Sequence, residues 1–478
     1  MPCSGRLLLE RVDPIVSPGQ VSGHVHTISG GNGFGFTTSY DKMRASTCSS
    51  CPIKPDLSVY WTPKLYFQAE DGTFEDVPQA GEGNGRTGGM TVYYQQRAGP
   101  KNDKLQAFPK DFRMFSGDPF RRNYTGEEAA PGNAVSFVCL DYEGGSTQHN
   151  EIPDKNCPDG LRAQIYFPSC WDGENLDSQD HRSHMAYPIG HDDNGACPTS
   201  HPKHLISIFY EVIYSIDGFK DRWHGSGHPF VFAQGDGTGY GFHGDFINGW
   251  DIDTLQRATD ECLNNSGRLE DCPVFANDLF TPDEQQACRI PPSINEATTG
   301  TLSALPGCNT PTNGPEYARP PTTCAANATI GKQATYFTDL TSSNWAYAGC
   351  AADDYFDRTL TGPSTSSDSM TVKTCVDFCE SRSHALVGLE YARECYCGDD
   401  YSDAQQAPRE GVLGACGEPC SGDESEICGA AGALSMYRKC EGGGQCENAV
   451  YGVPAGRKAR RHLEYHRHAE VHGGAAVD

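Results

Sequence analysis

The chain lacks any long run of apolar residues. None of its hydrophobic stretches approaches the roughly 18–20 consecutive residues that a transmembrane helix requires, so no membrane span is expected. The opening stretch, MPCSGRLLLERVDPIV, has neither a proper apolar core nor a small-residue cleavage site, and it therefore does not predict a signal peptide. A chain of 478 residues is long enough for two or three domains.

Positive charge is also in short supply. The chain has 37 lysines and arginines against 63 aspartates and glutamates, which gives a net charge of −26. Such an acidic balance argues against nucleic acid as a partner, because phosphate backbones would be repelled. It argues equally against a polybasic membrane-binding surface.

Cys-x2-Cys knuckles are nearly missing, although cysteine itself is abundant. Of the 22 cysteines, only Cys48 and Cys51 have the spacing that is typical of zinc knuckles. The others are scattered and the total is even, which favours a disulfide framework formed in an oxidising compartment. Sequons at Asn123, Asn264 and Asn327 agree with a secreted, extracellular glycoprotein.

Helical patterns are scarce, whereas short runs of β-branched and aromatic residues are frequent. These runs are residues 57–67, 90–96, 135–142 and 205–216. Loops rich in Gly, Asp, Asn and Pro separate them, and the last run alternates as a strand does. The clearest helix is predicted at 251–263, with Asp251 as its N-cap. We therefore predict a mainly-β fold, a β-sandwich or jelly-roll-like domain with long disulfide-pinned loops.

Residues 345–438 contain eight cysteines in a dense pattern. The segments read WAYAGCAADD, MTVKTCVDFCES, ALVGLEYARECYCGDD and CGEPCSGDESEICG, and the second of them is expected to form a short helix. So many cysteines in so short a stretch predict a small stapled scaffold. The pattern resembles that of the WSC domain over roughly its whole length. The resemblance implies four disulfides and binding to cell-wall polysaccharide.

Shifts in composition predict the domain boundaries. We expect a histidine-rich β domain at 1–310, a Thr/Pro/Ala-rich linker at 311–340 and a WSC carbohydrate-binding domain at 341–440. The remaining residues, 441–478, are basic and rich in histidine, and they have no core pattern. We expect this tail to be disordered.

The histidines of the first domain lie beside Gly, Pro, Tyr and Asp rather than in apolar periodic runs. In VSGHVHTISGG (21–31), His24 and His26 would project to the same face of an extended strand. Three further motifs contain histidine, namely HRSHMAYP (181–188), CPTSHPKH (197–204) and GYGFHGDFINGWD (239–251). With RVDPIV at 11–16, these segments resemble secreted fungal proteins that share a domain of unknown function, often followed by WSC modules. The resemblance covers about residues 3–310 and implies a fungal, secreted protein.

One chemical interpretation is acid–base cleavage of a polysaccharide. A neutral imidazole can accept a proton near pH 7, and a tyrosine or carboxylic acid can supply one, which suits eliminative cleavage of a uronic-acid polymer. Hydrolysis would instead need two carboxylates beside the bond, for which Asp245 and Glu211 are candidates. The predicted catalytic residues are His24, His26, His184, Tyr187, His243 and Asp245. The predicted substrate-binding residues are Trp250, Asn248, His201 and Glu211.

Two other interpretations remain open. His24 and His26 together with Asp245 would form an ordinary set of ligands for a divalent metal ion, which is the one cofactor that the residues suggest. Alternatively, the histidines are hydrogen-bonded core residues that bridge loops. The predicted function is a carbohydrate-active enzyme, a polysaccharide lyase or glycoside hydrolase, that acts as a monomer on cell-wall or plant polysaccharide. The alternative is a non-catalytic wall-binding or structural glycoprotein.

Overall fold

The computed structural model describes most of residues 1–449. The ranges that it leaves undescribed are 84–85, 125–133, 191–192, 265, 320–327, 332–336, 354–357, 403–415, 424, 431, 441–445 and 450–478. Most of the expected tail and the sequon at Asn327 therefore lie outside the described residues. Strands occupy 30% of the structure and helices 12%, which confirms the mainly-β prediction. Within the described residues, no helix has the length and apolar character needed to cross a membrane.

The strands of the first domain are short. In chain order they are β1 (Pro2–Cys3), β2 (Leu8–Glu10), β3 (His26–Gly30), β4 (Val59–Pro63), β5 (Leu65–Gln68), β6 (Phe74–Asp76), β7 (Met90–Gln95), β8 (Arg113–Gly117), β9 (Val135–Cys139), β10 (Thr147–His149), β11 (Leu161–Tyr166), β12 (Cys170–Trp171), β13 (Met185–Ala186), β14 (Lys203–His204), β15 (Ser207–Tyr214), β16 (Phe230–Phe232), β17 (His243–Ile247) and β18 (Thr301–Leu302). The helices are α1 (Tyr40–Arg44), α2 (Ile252–Glu261) and α3 (Pro282–Ala287). Helix α2 begins at the predicted N-cap, where the side chain of Asp251 accepts a hydrogen bond from Thr254 N.

Two antiparallel sheets face each other and form the sandwich. One has the strand order β1-β7-β15-β11-β9-β10, and the other has the order β2-β3-β4-β17-β8. The Tyr210 hydroxyl on β15 donates a hydrogen bond across the gap to the Asp245 carbonyl on β17, at 2.9 Å. Smaller sheets, β16-β5-β6-β18 and β13-β12-β14, flank this pair. Within the described residues the sheets are not closed, so the sandwich is open.

Aromatic side chains fill the space between the two sheets. Phe246 on β17 stacks on Tyr60 at 5.8 Å and meets Phe108 at 4.9 Å between ring centroids, and all three are fully buried. The contact between Phe167 and Tyr210, at 4.5 Å, extends the same layer. Because large rings bury much apolar area, this layer contributes strongly to the stability of the domain.

Disulfides tie the long loops to this core. Cys48 and Cys51, the one pair with knuckle spacing, bond to different partners, Cys288 and Cys3. Their thiolates are therefore not available to hold zinc. The other described bonds of the first domain are Cys139–Cys157, Cys170–Cys197 and Cys262–Cys272. The prediction of a disulfide framework is confirmed.

The segment predicted as a linker, 311–340, packs against the first domain along part of its length. Thr312 N donates to the Gly235 carbonyl at 2.8 Å, and the Tyr317 hydroxyl contacts both carboxylate oxygens of Asp118 at 2.8 Å. The first contact lies just after β16, and the second lies just after the end of β8.

The cysteine-rich region folds around its own small sheet. Its strands are β19 (Trp345–Ala352), β20 (Ser364–Ser366), β21 (Leu386–Glu390), β22 (Glu394–Gly398) and β23 (Ala433–Lys439), in the order β19-β23-β21-β22-β20. The predicted helix is α4 (Val372–Glu380), and Cys375–Cys395 and Cys379–Cys397 fasten it to β22. Cys350–Cys416 and Cys420–Cys428 complete four disulfides, and Cys440–Cys446 follows.

Truncating Phe246 should severely destabilise the first domain. We expect the substitution Phe246→Ala to lower the free energy of unfolding by about 3–5 kcal/mol, because it leaves a cavity in the packed layer between the sheets. Tyr142, a residue that is 74% exposed, offers a matched control. Tyr142→Ala should change the free energy by less than about 0.5 kcal/mol. Denaturant titration followed by fluorescence would measure both, and equal effects would contradict the packing described here.

Candidate functional site

Strand β17 presents two polar side chains on the face turned away from the sandwich core. Side chains alternate along a strand, so Gly244 and Phe246 face the six-stranded sheet while His243 and Asp245 face the other way. The backbone fits closely here. Gly117, which pairs with His243, has φ +89°, and a Cβ at this position would lie 2.5 Å from the Phe242 carbonyl oxygen. Glycine is therefore required opposite His243.

Three histidine rings meet on this face. His26 is the first residue of β3, whereas His24 lies in the bend before it, so the two are not neighbours on one regular strand as the sequence predicted. Their rings nevertheless lie side by side, with centroids 4.3 Å apart. The ring of His243 lies 4.9 Å from His24 and 5.8 Å from His26. One nitrogen from each ring falls within 4.8 Å of the others.

Backbone carbonyls fix the orientation of two of these rings. His26 Nδ1 lies 3.1 Å from the Val12 carbonyl oxygen, and His243 Nδ1 lies 2.9 Å from the Gly241 carbonyl oxygen. A carbonyl can only accept, so each neutral ring carries its proton on Nδ1 and has a lone pair on Nε2. The Nε2 of His26 is buried, and no described residue bonds to it. The Nε2 atoms of His243 and His24 are 2.9 Å apart.

The environment keeps all three rings neutral. Burial lowers the pKa of His24 and His26 well below the ordinary value, and the neighbouring histidines lower it further. Burial also lowers the pKa of His243, to about 4. The three groups can therefore offer lone pairs rather than positive charge near neutral pH.

Asp245 is the other buried polar group of this face. Burial raises the pKa of its carboxyl well above the usual range, and the nearby Asp13 raises it further. Its Oδ2 has no hydrogen-bond partner among the described residues. Burial therefore favours the protonated carboxyl of Asp245, on the same face of β17 as His243.

Separate sequence motifs converge to build the site. RVDPIV contributes the Val12 carbonyl and the buried Asp13, whose Oδ1 accepts hydrogen bonds from Ile15 N and Val16 N at 3.0 and 3.1 Å. Arg11 of the same motif is held by Glu296 at 2.6 Å. HVHTI and GFHGDF contribute the three histidines. The motifs are distant in the chain, and they meet because β3, β4 and β17 are neighbours in one sheet.

The three histidines have the chemistry of a metal-binding group. Hydrogen bonds from Nδ1 to carbonyls are the usual way in which proteins orient a ligating imidazole. Three imidazoles with space for a fourth ligand are typical of catalytic zinc and of other divalent transition-metal sites. His24 is partly exposed, so the group is accessible from solvent on that side. The third possible ligand beside His24 and His26 is His243. The sequence predicted Asp245 in this role, but Asp245 does not belong to this group of possible ligands.

Two of the other predicted catalytic residues lie along β8. His184 contacts Ser178 Oγ and the Arg113 carbonyl, both at 2.9 Å, so both ring nitrogens are engaged. Arg113 lies four residues along β8 from Gly117, which pairs with His243. Because a strand rises by about 3.3 Å per residue, His184 lies roughly 13 Å from the three histidines. Tyr187 is closer, since its hydroxyl contacts Ser116 Oγ at 2.7 Å and the Tyr166 carbonyl at 3.0 Å.

The predicted substrate-binding residues lie elsewhere in the fold. Trp250 is 1% exposed and packs against Tyr94, which leaves no ring face for a sugar. Asn248 is buried, and its amide donates to the Pro109 carbonyl at 2.9 Å. His201 contacts the Ser183 carbonyl at 3.0 Å and thereby supports the loop that contains Tyr187.

Glu211 points away from Asp245. It lies on β15 next to Tyr210, whose hydroxyl reaches into the sandwich, so the alternation of the strand sends Glu211 to the opposite face. There it accepts a hydrogen bond from Tyr93 at 2.9 Å and pairs with Arg162 at 3.3 Å. Asp245 and Glu211 therefore do not form a pair of carboxylates around a common substrate.

Sequence reasoning missed Arg182. It lies in the motif HRSHMAYP between His181 and His184, and its positive charge lowers the pKa of both His243 and Asp245 against the larger effect of burial on Asp245. The residue type alone was a usable signal, because a cation beside an acid–base set suits an anionic substrate. Other clusters of possible ligands, Cys170/Cys197/His204 and Cys375/Cys379/Cys395, consist mainly of disulfide-bonded sulfurs that cannot bind a metal as thiolates.

The fold and the site define a disulfide-stabilised β-sandwich protein with a buried three-histidine centre and an appended cysteine-rich module. Comparison with known families agrees with this division. Residues 13–250 match the family described as "Domain of unknown function (DUF1996)", and residues 347–430 match the WSC domain. The chain thus carries a DUF1996 domain followed by a WSC domain, which confirms the predicted architecture.

Individual relatives are similar over about a hundred residues. A WSC domain-containing protein of Arthroderma benhamiae is 37% identical over 101 residues, which is 21% of this chain and 13% of that protein. Kremen protein 2 of Mus musculus is 30% identical over 112 residues, 23% of this chain and 24% of that protein. Kremen protein 1 of Rattus norvegicus is 32% identical over 92 residues, 19% of this chain and 18% of that protein. The chain therefore spans about a quarter or less of the length of these relatives.

The tautomers of the three histidines can be tested directly. In metal-stripped protein at pH 6, we expect His26 and His243 to be neutral and protonated at Nδ1, because burial disfavours the imidazolium and a carbonyl accepts from Nδ1. Lowering the pH should charge His243 only near its pKa of about 4. Long-range proton–nitrogen NMR spectra of ¹⁵N-labelled protein would distinguish the forms. An imidazolium, or a proton on Nε2, at pH 6 would contradict the assignment.

Proposed function

We propose that this protein is a secreted carbohydrate-active enzyme whose DUF1996 domain cleaves a polysaccharide at the three-histidine centre. In this proposal the WSC domain holds the protein on its polymer. The convergence of His24, His26 and His243 around the unpartnered Nε2 of His26 is the observation that carries it. Buried polar atoms are normally hydrogen-bonded, so an imidazole nitrogen that has no partner among the described residues, in a ring packed beside two other histidines, calls for a ligand.

A divalent transition-metal ion fits this ligand set. His24, His26 and His243 would hold the ion through ring nitrogens, and Val12 and Gly241 would keep two of the rings in place. When bound, such an ion supplies Lewis acidity, or a water of lowered pKa, to a reaction beside it. Asp245, whose Oδ2 has no hydrogen-bond partner among the described residues, would donate or accept a proton at that oxygen.

The positions of the carboxylates favour elimination over ordinary hydrolysis. Glycoside hydrolysis generally uses two carboxyl groups that flank the scissile bond. Glu211 faces away from Asp245 and is engaged by Arg162 and Tyr93, so the pair that the sequence suggested is not available. Neutral histidines and a tyrosine, Tyr187, remain for proton transfer, which is the set that eliminative cleavage requires.

The WSC domain supports the location and the class of substrate. WSC domains are cell-wall-associated modules that bind polysaccharide, and the described disulfides are consistent with an extracellular protein. A binding module raises the effective concentration of polymer at an attached active domain. A non-catalytic wall-binding glycoprotein, the alternative function, would also use such a module, so activity has to be measured.

Metal content tests the centre independently of activity. We expect purified protein to bind about one Zn²⁺ or Cu²⁺ per chain, and His24→Ala to lower the affinity at least about tenfold, since one of three ligands is lost. His24 is partly exposed, so this variant should remain folded. The matched control is His149→Ala, because His149 lies on edge strand β10 and contacts Thr147. Equal metal binding by both variants, measured by calorimetry and mass spectrometry, would refute the centre.

Turnover on a panel of polysaccharides tests the enzyme. The full chain would be incubated with plant, fungal and bacterial polymers, with and without a chelator, and products read by mass spectrometry and by absorbance of unsaturated uronates. We expect unsaturated products that disappear when chelator is present. Saturated oligosaccharides would show that the protein cleaves by hydrolysis and not by elimination. Binding without any product would favour the non-catalytic glycoprotein.

A further inference from the structure

A cavity of about 270 Å³ opens beside the three-histidine centre. Its polar lining comes from Ser116, Arg182 and Tyr187, and its apolar lining includes Phe115, Pro168 and Met185. Gly117, which also lines it, is paired with His243 on the next strand, so the cavity and the centre are separated by one strand spacing of roughly 5 Å. The volume is slightly below the usual range of about 300–1,000 Å³ for small-molecule pockets, which suits one sugar residue.

Arg182 is the charged group of this cavity. Its guanidinium stacks on the Phe115 ring at 3.8 Å from the centroid. Within the described part of the chain, its side chain forms no hydrogen bond or ion pair. The other two guanidinium groups near the histidines are each held by a carboxylate, Arg11 by Glu296 and Arg122 by Asp236 at 3.5 Å. Arg182 thus differs from Arg11 and Arg122, because no carboxylate among the described residues pairs with its guanidinium N–H groups.

The backbone around Arg182 is held firmly. The Oδ1 of Asp180 accepts hydrogen bonds from Arg182 N at 3.2 Å and Ser183 N at 2.9 Å, and from the Ser183 hydroxyl at 2.8 Å. His181, directly before the arginine, has φ +56°, a left-handed conformation that a non-glycine residue rarely adopts. Such strained residues persist where the surrounding structure over-determines them, and they concentrate at ligand sites.

Nearby carboxyl groups do not neutralise Arg182 by direct contact. Asp118 is occupied by the Tyr317 hydroxyl, which contacts both of its oxygens. Asp245 lies opposite Phe115 on the neighbouring strand, and among the described residues it forms no ion pair with Arg182. A guanidinium fork without a carboxylate partner, above an apolar wall, recognises planar anions through paired hydrogen bonds.

We propose that Arg182 binds the carboxylate of a uronic-acid residue, so that the substrate of the neighbouring centre is an acidic polysaccharide. The apolar wall of Pro168 and Met185 would contact the C–H face of the sugar ring. The hydroxyls of Ser116 and Tyr187 lie at the same cavity and would face the sugar oxygens. This inference rests on the proposed function, because it names the substrate of that site. The binding of the carboxylate itself requires neither the metal ion nor turnover.

Calorimetry with short oligosaccharides tests the proposal. Trimers of galacturonic acid and of glucuronic acid would be titrated into the full chain, in buffer with chelator, alongside the same trimers with the carboxyl groups reduced to alcohols. We expect at least one acidic trimer to bind, and Arg182→Gln to weaken that binding roughly tenfold to a hundredfold, the effect of one charge-assisted contact. Arg182→Lys keeps the positive charge but not the two parallel N–H donors of the guanidinium, so it should lose less affinity for the trimer than Arg182→Gln does.

The control variant is Arg257→Gln, on the exposed surface of helix α2, which should bind like the unmodified protein. Because the WSC domain is present in every variant, its own contribution cancels from the comparison. Equal affinity of Arg182→Gln and Arg257→Gln for the acidic trimers would overturn the proposal, as would equal affinity of the unmodified protein for acidic and reduced trimers. Chelator removes any metal contribution, so failure of the metal centre alone would leave this result unchanged.

Discussion

The burial of strand β17 on both faces is the constraint on which the site depends. The strand is hydrogen-bonded to β4 on one side and to β8 on the other, and all five of its residues are buried. Phe246 enters the aromatic layer between the sheets, so the alternation of the strand leaves His243 and Asp245 on the far face. A slip of one residue would exchange the two sets, placing the histidine in the aromatic layer and the phenylalanine on the far face.

A polar cluster on a buried sheet face costs free energy unless its groups are neutral and bonded. The molecule meets this requirement in two ways. Burial lowers the pKa of the histidines and raises that of Asp245, which favours the uncharged form of each, and the Val12 and Gly241 carbonyls accept hydrogen bonds from two of the rings. Two atoms on this face, Nε2 of His26 and Oδ2 of Asp245, have no hydrogen-bond partner among the described residues. A desolvation cost concentrated at one location is typical of functional sites rather than of structural cores.

Disulfides and an additional segment cover the face that carries these groups. RVDPIV lies over the histidines through Val12 and Asp13, and Cys48–Cys288 joins positions 240 residues apart. Such a long closed loop restricts the unfolded chain strongly. In the WSC domain, Cys375–Cys395 and Cys379–Cys397 fasten helix α4 to a strand, so a short helix persists where packing area is small. Disulfides thus serve different purposes in the two domains. In the first domain they close long loops, and in the WSC domain they compensate for a small core.

Local patterns and composition determined the class of fold, the helix that begins after Asp251, the short helix in MTVKTCVDFCES and the WSC pattern. The number of cysteines indicated disulfides but not their pairing. Local patterns also indicated that the motif histidines form one set, which is true of His24, His26 and His243. They could not separate His184, Trp250 or Glu211 from that set, since only strand order and alternation decide which face a side chain occupies. Nor could they reveal the tautomers or the availability of Arg182, because both depend on partners far away in the chain. Tertiary structure alone decided these points, since hydrogen bonds and burial are properties of neighbours in space.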